Sequence, residues 1–445
     1  MEQHDFQAER HNRETSWLNT EKTPVAADPR RVPVDPASVV QCDTTTMVLR
    51  GGRIFDGTGA EPYEGTVLIN GNRIAGITPP DAKEWPADAE VIDVSGQTVL
   101  PGLIDLHTHL TYHEPDVQVA QAQSLSDATL RASERLRYYL ECGITSVRDA
   151  GSHDDVPFRL KAWVSQHRVP GPRVFAAGCL ITGVGGHGAE GLDAVSPKVG
   201  KIREASGPDD WRNAAREQFK KGADVIKIAS HFSRDEVAAV VDEAHSLGLK
   251  VMCDAETFYI QWAVEAGVDV IEHPLPRTDA TIDLMAKMNT EAVPTLVPYM
   301  IIFDQRGGYF NSTSRRFTFS KEDNLDVVRR MRRAGVKIGV GTDLVWDWFR
   351  YLPGAYIEEL RQFVRAGFTN HEALVAATAT GAEILDMAHE LGTIEPGKLA
   401  DITVVDGCPD ISLEDLQNVR TVIRDGCTVI RDGRIFVPRH EPRSW

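Results

Sequence analysis

Cysteine is scarce and scattered. The six, Cys42, Cys142, Cys179, Cys253, Cys408 and Cys427, form no CxxC and no close pair, which is a poor disulfide framework and a poor zinc-finger pattern. Cys179 and Cys253 lie in apolar runs and read as buried core thiols. No stretch approaches the roughly 20 uninterrupted apolar residues of a membrane span. The N-terminus, MEQHDFQAERHNRETSW, is charged throughout and has no apolar signal region. Positive charge is in deficit, with 48 Lys and Arg against 65 Asp and Glu, a net of −17. Polyanions would be repelled, so neither nucleic acid nor an anionic membrane surface is an expected partner. These absences leave a cytoplasmic protein of enzyme size as the expectation.

What is present is ordinary globular material, 42% hydrophobic and 25% charged in 445 residues, enough for one barrel and a small second domain. Residues 1–45 are polar, proline-bearing and aperiodic, a flexible extension or an arm that orders on a neighbouring subunit. From Met47 short β-like pieces begin, with Asn-Gly at 70–71 as a hairpin signal. The same texture returns near the C-terminus, where VIRDG occurs twice, at 422–426 and 429–433. The two ends are therefore expected to pair into one small β domain, from residues 46–97 and 392–445. It brackets a central unit at 98–391.

That unit alternates strand-like stretches (99–106, 144–149, 173–178, 224–230, 249–254, 269–273, 291–298 and 336–343) with helical patterns, several closed by glycine. The expected fold class is α/β, a (β/α)8 TIM barrel with a small β-sandwich domain built from both chain termini. A doubly wound open sheet is the alternative, but no GxGxxG opens a helix. Barrel chemistry sits at the C-terminal strand ends, so the residue at each end matters.

The first strand ends in His107-Thr108-His109, two imidazoles on the same side of an extended chain. Alone this is a weak signal, shared with structural histidines. The fourth carries Lys227 between two isoleucines, and lysine is rarely buried without a partner. Its carbamate with carbon dioxide would be an anionic oxygen ligand; a lysine at a solvent-reaching strand end is the plainer reading. The sixth ends in Glu272-His273-Pro274 and the eighth in Gly341-Thr342-Asp343. Together these ends point to a metal site.

The motifs PGLIDLHTHL, GVGGHG (183–188), GADVIKIAS, AGVDVIEH, VPTLVP, VGTD and LGTIEPGKLADITVVDG resemble those of the amidohydrolase superfamily, in the branch of imidazolonepropionase and prolidase-like metal-dependent hydrolases. The resemblance runs from about residue 47 to 435. It implies the barrel, the terminal β-sandwich, and a metal site of His107, His109, Lys227 as its carbamate, His273 and Asp343. It implies one or two divalent ions, zinc first, with cobalt or manganese as alternatives.

One position departs from it. Relatives usually end the fifth strand in histidine, where this chain has Asp254. Aspartate can ligate zinc and suits harder ions; it can also fall short, leaving a metal held mainly by His107, His109 and Asp343, or mark an inactive protein. A retained site with altered occupancy is the favoured expectation.

A bound metal lowers the pKa of its water to about 7, and Asp343 is the candidate for moving that water's proton. His187 is the candidate donor to the oxyanion, because its glycines allow close approach. His231 is a weaker candidate, and His113 and Glu114 are weaker still. Loops after strands seven and eight are rich in aromatics, with Tyr299, Phe303, Tyr309 and Phe310, then Trp346, Trp348, Phe349 and Tyr351. Some would only pack the loops. As a group they favour an apolar or aryl substrate, with Tyr299, Phe303, Trp346, Trp348 and Arg350 as expected contacts.

Dipeptide-cleaving relatives commonly carry His-Gly after the last aspartate, where this chain has Leu352-Pro353-Gly354. Arg306, Arg315, Arg316 or Arg350 would be left to bind a carboxylate. The expected activity is hydrolysis of a C–N bond in an amide, carbamate or urea, as in relatives that degrade urea and thiocarbamate herbicides. A dipeptidase, a cyclic-amide hydrolase and a non-catalytic assembly protein are the alternatives. The expected partners are a small-molecule substrate and further copies of the chain.

Overall fold

The computed structural model describes residues 46–112, 124–189, 202–306 and 317–436. The expectations for residues 1–45, His113, Glu114, Tyr309, Phe310, Arg315 and Arg316 lie outside them.

The first strands, β1 (Thr46–Ile54), β2 (Tyr63–Asn70), β3 (Arg73–Thr78), β4 (Glu90–Asp93) and β5 (Gln97–Pro101), join the last four in one nine-stranded sheet. Those are β15 (Ile402–Asp406), β16 (Val419–Arg424), β17 (Cys427–Arg431) and β18 (Arg434–Ile435). The two ends of the chain meet where β5 pairs antiparallel with β15, from Pro101–Ile402 to Gln97–Asp406. Each VIRDG repeat closes a tight turn as its sequence demands. Asp425 and Gly426 have φ of 52° and 73°, and Asp432 and Gly433 have 51° and 70°, the left-handed pair of a type I′ hairpin. Met47, Leu49, Ile54, Val67, Ile402 and Val404 are among the core of this sheet.

Cys427 is disulfide-bonded, whereas Cys142, Cys179, Cys253 and Cys408 are free.

The remaining strands are β6 (Leu103–Thr108), β7 (Ile144–Asp149), β8 (Arg173–Ala176), β9 (Leu180–Gly183), β10 (Ile202–Ala205), β11 (Val225–Ala229), β12 (Lys250–Asp254), β13 (Val270–Glu272) and β14 (Glu291–Val293). Parallel pairing runs β6–β7–β8 and β11–β12–β13–β14. Asp224 N donates to Ala176 O at 2.9 Å and links the two arcs. Residues 336–343 complete the ring: Gly339 N donates to Ala292 O, and Leu106 N to Val340 O, each at 2.9 Å. The closed ring is a TIM barrel. Ile104, Leu106, Val225, Met252, Val270 and Val293 fill its interior, while Ile226, Ile228, Val251, Cys253 and Ile271 pack outward against the helices.

Helices open on side-chain caps. Ser233 and Ser320 make capping boxes with Glu236 and Asp323 before Arg234–Ser246 and Lys321–Arg333. Four strand expectations shift, the eighth (336–343) being held by isolated bridges at Ile338 and Leu344 rather than forming a full strand. The first divides, because the chain leaves the terminal sheet at Pro101; a Cβ on Gly102 would lie 2.0 Å from the Thr145 hydroxyl, so only glycine makes that crossing. The third is made in two pieces, with β9 pairing to Ile228 and Ala229 beyond β8. The seventh stops at Val293, since Pro294 cannot donate to a ladder. Both Glu359 oxygens accept the Leu296 and Val297 amides at 2.7 Å, opening the helix Leu296–Arg306. Among the described residues no helix is long and apolar enough to cross a membrane.

Candidate metal centre

Strand alternation aims the chemistry inward. On β11 Val225 is interior and Ile226 and Ile228 are exterior, so Lys227 faces the barrel interior. The same reasoning turns Asp254 inward on β12, beside Met252, and Glu272 on β13, beside Val270. Asp254 is in register with Ala229 on one side and Glu272 on the other. His273 follows β13 at φ 65°, and Asp343 follows Thr342 at φ 49°, so both leave the extended conformation at the barrel mouth.

The β6 histidines converge on the eighth segment. Their ring centroids are 5.2 Å apart, and Asp343 Oδ1 is 3.6 Å from His107 Nε2 and 3.3 Å from His109 Nε2. The opposite nitrogens are engaged, His107 Nδ1 by Glu272 Oε2 at 2.6 Å and His109 Nδ1 by the Gly151 carbonyl at 2.8 Å. Across the mouth, Asp254 Oδ2 lies 3.1 Å from His273 Nε2 and 3.4 Å from His187 Nε2. His273 Nδ1 meets Thr295 Oγ1 at 2.7 Å and lies 4.0 Å from Asp343 Oδ2. Asp254 therefore reaches the same mouth as the four histidines and aspartate around it.

One set of ligand atoms, from His107, His109 and Asp343, lies mutually within 4.8 Å. His107 Nε2 and Lys227 Nζ are buried and have no hydrogen-bond partner among the described residues. Orphaned buried polar atoms demand an explanation. Two imidazole nitrogens and a carboxylate are the donor chemistry of zinc and neighbouring divalent ions. The site fits such an ion, with Asp254, His273 and Lys227 beside it.

Electrostatics agree with ligand readiness. Burial, then the positive charge of Lys227 and the neighbouring histidines, holds His107 well below the usual histidine range, which keeps its lone pair. Burial pushes the Asp343 carboxyl up, but the neighbouring His109, His273 and Lys227 outweigh it, so it ends below its ordinary range. Beneath the site, Asp105 accepts from His107 N at 3.1 Å, Thr342 N at 2.9 Å and Thr342 Oγ1 at 2.5 Å. One carboxyl thus ties together the two strand ends that carry the candidate ligands, and burial pushes it up to about 7.

The glycine loop is pressed onto residues 230–231. A Cβ on Gly183 would lie 2.1 Å from His231 O and one on Gly186 2.4 Å from Thr182 Oγ1, while His187 N donates to Ser230 O at 2.7 Å. His187 is thereby carried over Asp254. His231 turns to the rim, 3.8 Å from Glu256 Oε1 and 5.2 Å from the Tyr259 ring. Of the expected substrate contacts, buried Tyr299 lies 5.3 Å from the His273 ring. Phe303 faces Lys321, and exposed Arg350 bonds Tyr351. Trp348 packs against the outer core, as does Phe349, which lies under Arg135; the side chain of Trp346, like that of Arg306, is outside the described residues.

Sequence reasoning passed over Glu272, Arg148, Asp105 and Tyr112, whose ring stacks on His109 at 4.4 Å. The available signal was a charge inside an apolar strand, the one that singled out Lys227.

A model of the amidohydrolase family matches residues 98–435. The chain belongs to the amidohydrolase family. As such it is a hydrolase acting on C–N bonds. This amidohydrolase is 25% identical to an imidazolonepropionase of Geobacillus kaustophilus over 84% of its own length and 92% of that protein's. It is 31% identical to a prolidase solved with N-methylphosphonate-L-proline, TM-score 0.78, over 87% of its length and 100% of that chain. A molinate hydrolase structure, TM-score 0.72 over 87% and 95% of the two chains at 22% identity, shares the fold.

Proposed function

We propose that this amidohydrolase is a metal-dependent hydrolase of a small amide, carbamate or urea with an apolar or aryl substituent, of the kind met in xenobiotics. The reading rests on one observation, the buried His107–His109–Asp343 set walled by the Tyr112 and Tyr299 rings. An ion held there, zinc before cobalt or manganese, would supply Lewis acidity and a nucleophile from water at neutral pH. Asp343 is ionised, close to both Nε2 atoms and 17% exposed, so it takes the proton of the attacking water and returns it to the leaving nitrogen. His187, over Asp254, donates to the developing oxyanion. Lys227 as its carbamate, Asp254 and His273 complete the ligand set. The terminal sheet as a sandwich, self-association, absence of nucleic-acid or membrane partners, and a cytoplasmic setting belong to the same proposal, the net charge of −17 supporting the partner part.

A second reading, a prolidase-like dipeptidase, is favoured by the 31% identity to the prolidase. Against it, buried arginines of the described barrel are already committed: Arg148 to Glu272 and Leu106 O, Arg135 to carbonyls, Arg277 to carbonyls and methionine sulfurs. Rates on aryl ureas, carbamates, anilides and Xaa-Pro dipeptides after zinc, cobalt or manganese loading separate the two. Preference for the dipeptides selects the second. Metal below about a tenth of an equivalent, with no activity after loading, leaves the non-catalytic reading.

A further inference from the structure

His107 offers a metal only its Nε2, and what fixes that choice sits on two other strands. Glu272, on β13, is fully buried. Its Oε2 is 2.6 Å from His107 Nδ1, and its Oε1 accepts from Arg148 Nη2 at 2.7 Å. Arg148, on β7, also donates its Nε to the carbonyl of Leu106 at 2.6 Å, the residue before His107. One guanidinium therefore holds both the main chain leading into the histidine and the carboxylate that grips its ring.

We propose that Glu272 and Arg148 are positioning residues that set the tautomer and aim of His107, and through it the affinity of the centre. Arginine only donates, so Glu272 Oε1 accepts. Glu272 Oε1 is occupied by Arg148, so Oε2 is the atom that meets the imidazole. The proton between Glu272 Oε2 and the imidazole then resides on Nδ1. That leaves Nε2 unprotonated, in accord with its having no hydrogen-bond partner among the described residues. The opposite tautomer would bury an N–H with no acceptor. His109 reaches the same state by a weaker route, donating Nδ1–H to the neutral Gly151 carbonyl. A carboxylate anchored by a guanidinium fixes the ring's orientation more firmly than a lone carbonyl does.

This inference rests on the metal-centre reading, and the tests separate the two. Cobalt and zinc affinities are measured by chelator competition on wild type, Glu272→Gln and Arg148→Lys, with thermal melts alongside. Glu272→Gln must present its amide N–H₂ to one of two donors, so metal affinity is expected to fall 10–100-fold in protein that still melts cooperatively. Wild type that binds no metal overturns the metal-centre reading. Wild type that binds while a folded Glu272→Gln binds within twofold of it overturns the positioning role. Should both variants fail to fold, metal-free wild type decides. Its ¹⁵N-histidine spectrum, with His107 assigned by its loss in His107→Gln, is expected to show the Nδ1–H form, and an Nε2–H form overturns the inference.

Discussion

Asp254 is the residue whose chemistry is most exposed to test. Its Oδ2 serves His273 and His187 at once, so truncation removes an anion from the mouth and leaves both imidazoles without that acceptor. In Asp254→Ala, metal content is expected to drop and the rate to fall by about 10–100-fold, whereas Asp254→His keeps the metal. Elemental analysis with kinetics on the best substrate checks both, and unchanged values in the two variants would remove Asp254 from the ligand set. A Cβ at Gly186 would meet Thr182 Oγ1 at 2.4 Å and His231 N at 2.8 Å, so Gly186→Ala displaces His187. The expected outcome is a lowered kcat with metal content unchanged, and a loss of stability of about 1–3 kcal/mol. At this scale Lys227 and the two β6 histidines were legible because charge in an apolar strand is anomalous. Glu272 and Arg148 were not, because their meaning is a distance between strands.

Among elements, the joint between barrel and terminal sheet carries a dense polar cluster. Arg173 on β8 bonds Asp425 at 2.5 Å, Asp425 N donates to Asp401, and Arg424 reaches Val164 O at 3.1 Å and His167 Nδ1 at 2.9 Å. Burial, then the Arg424 charge, lowers the His167 pKa to about 4. Its folded value lies below the unfolded one, so the unfolded chain binds the extra proton between pH 6.5 and 4. The contribution is whole above pH 6.5 and is lost as pH falls toward 4, amounting to about 2 kcal/mol by pH 5. His167→Gln, which still accepts from Arg424, is expected to flatten that decline when unfolding is followed from pH 7.5 to 5. An equal decline in both proteins would place the acid sensitivity elsewhere. The sheet pairing across 300 residues was foreseen from the two β-rich ends, yet the cluster that fastens it was not, since Arg173 and His167 carry no local motif.

For the molecule as a whole, the proposed ion would join the first, eighth and neighbouring strand ends and so act as a clasp on barrel closure. Chelation is expected to lower the melting temperature, and resupply to restore it. Binding to the folded state alone stabilises by about 2.7 kcal/mol at a free concentration of 100 Kd. A melt insensitive to chelator, in protein shown to have carried metal, would mean that the ion adds nothing to folding.

The alternating patterns and glycine stops determined a (β/α)8 barrel with both chain ends in one sheet, because strand and helix periods are local properties of a sequence. The strand-end residues likewise pointed to a candidate metal centre at the barrel mouth. Tertiary structure decided what no local rule reaches: that Pro101–Gly102 divides the first strand between two sheets, and that Tyr299 rides a helix capped by Glu359. It also decided that Asp254 arrives within 3.1 Å of His273 and that Glu272 grips His107 from across the barrel. Those depend on which strands become neighbours, and ring closure sets that only once the whole chain has folded.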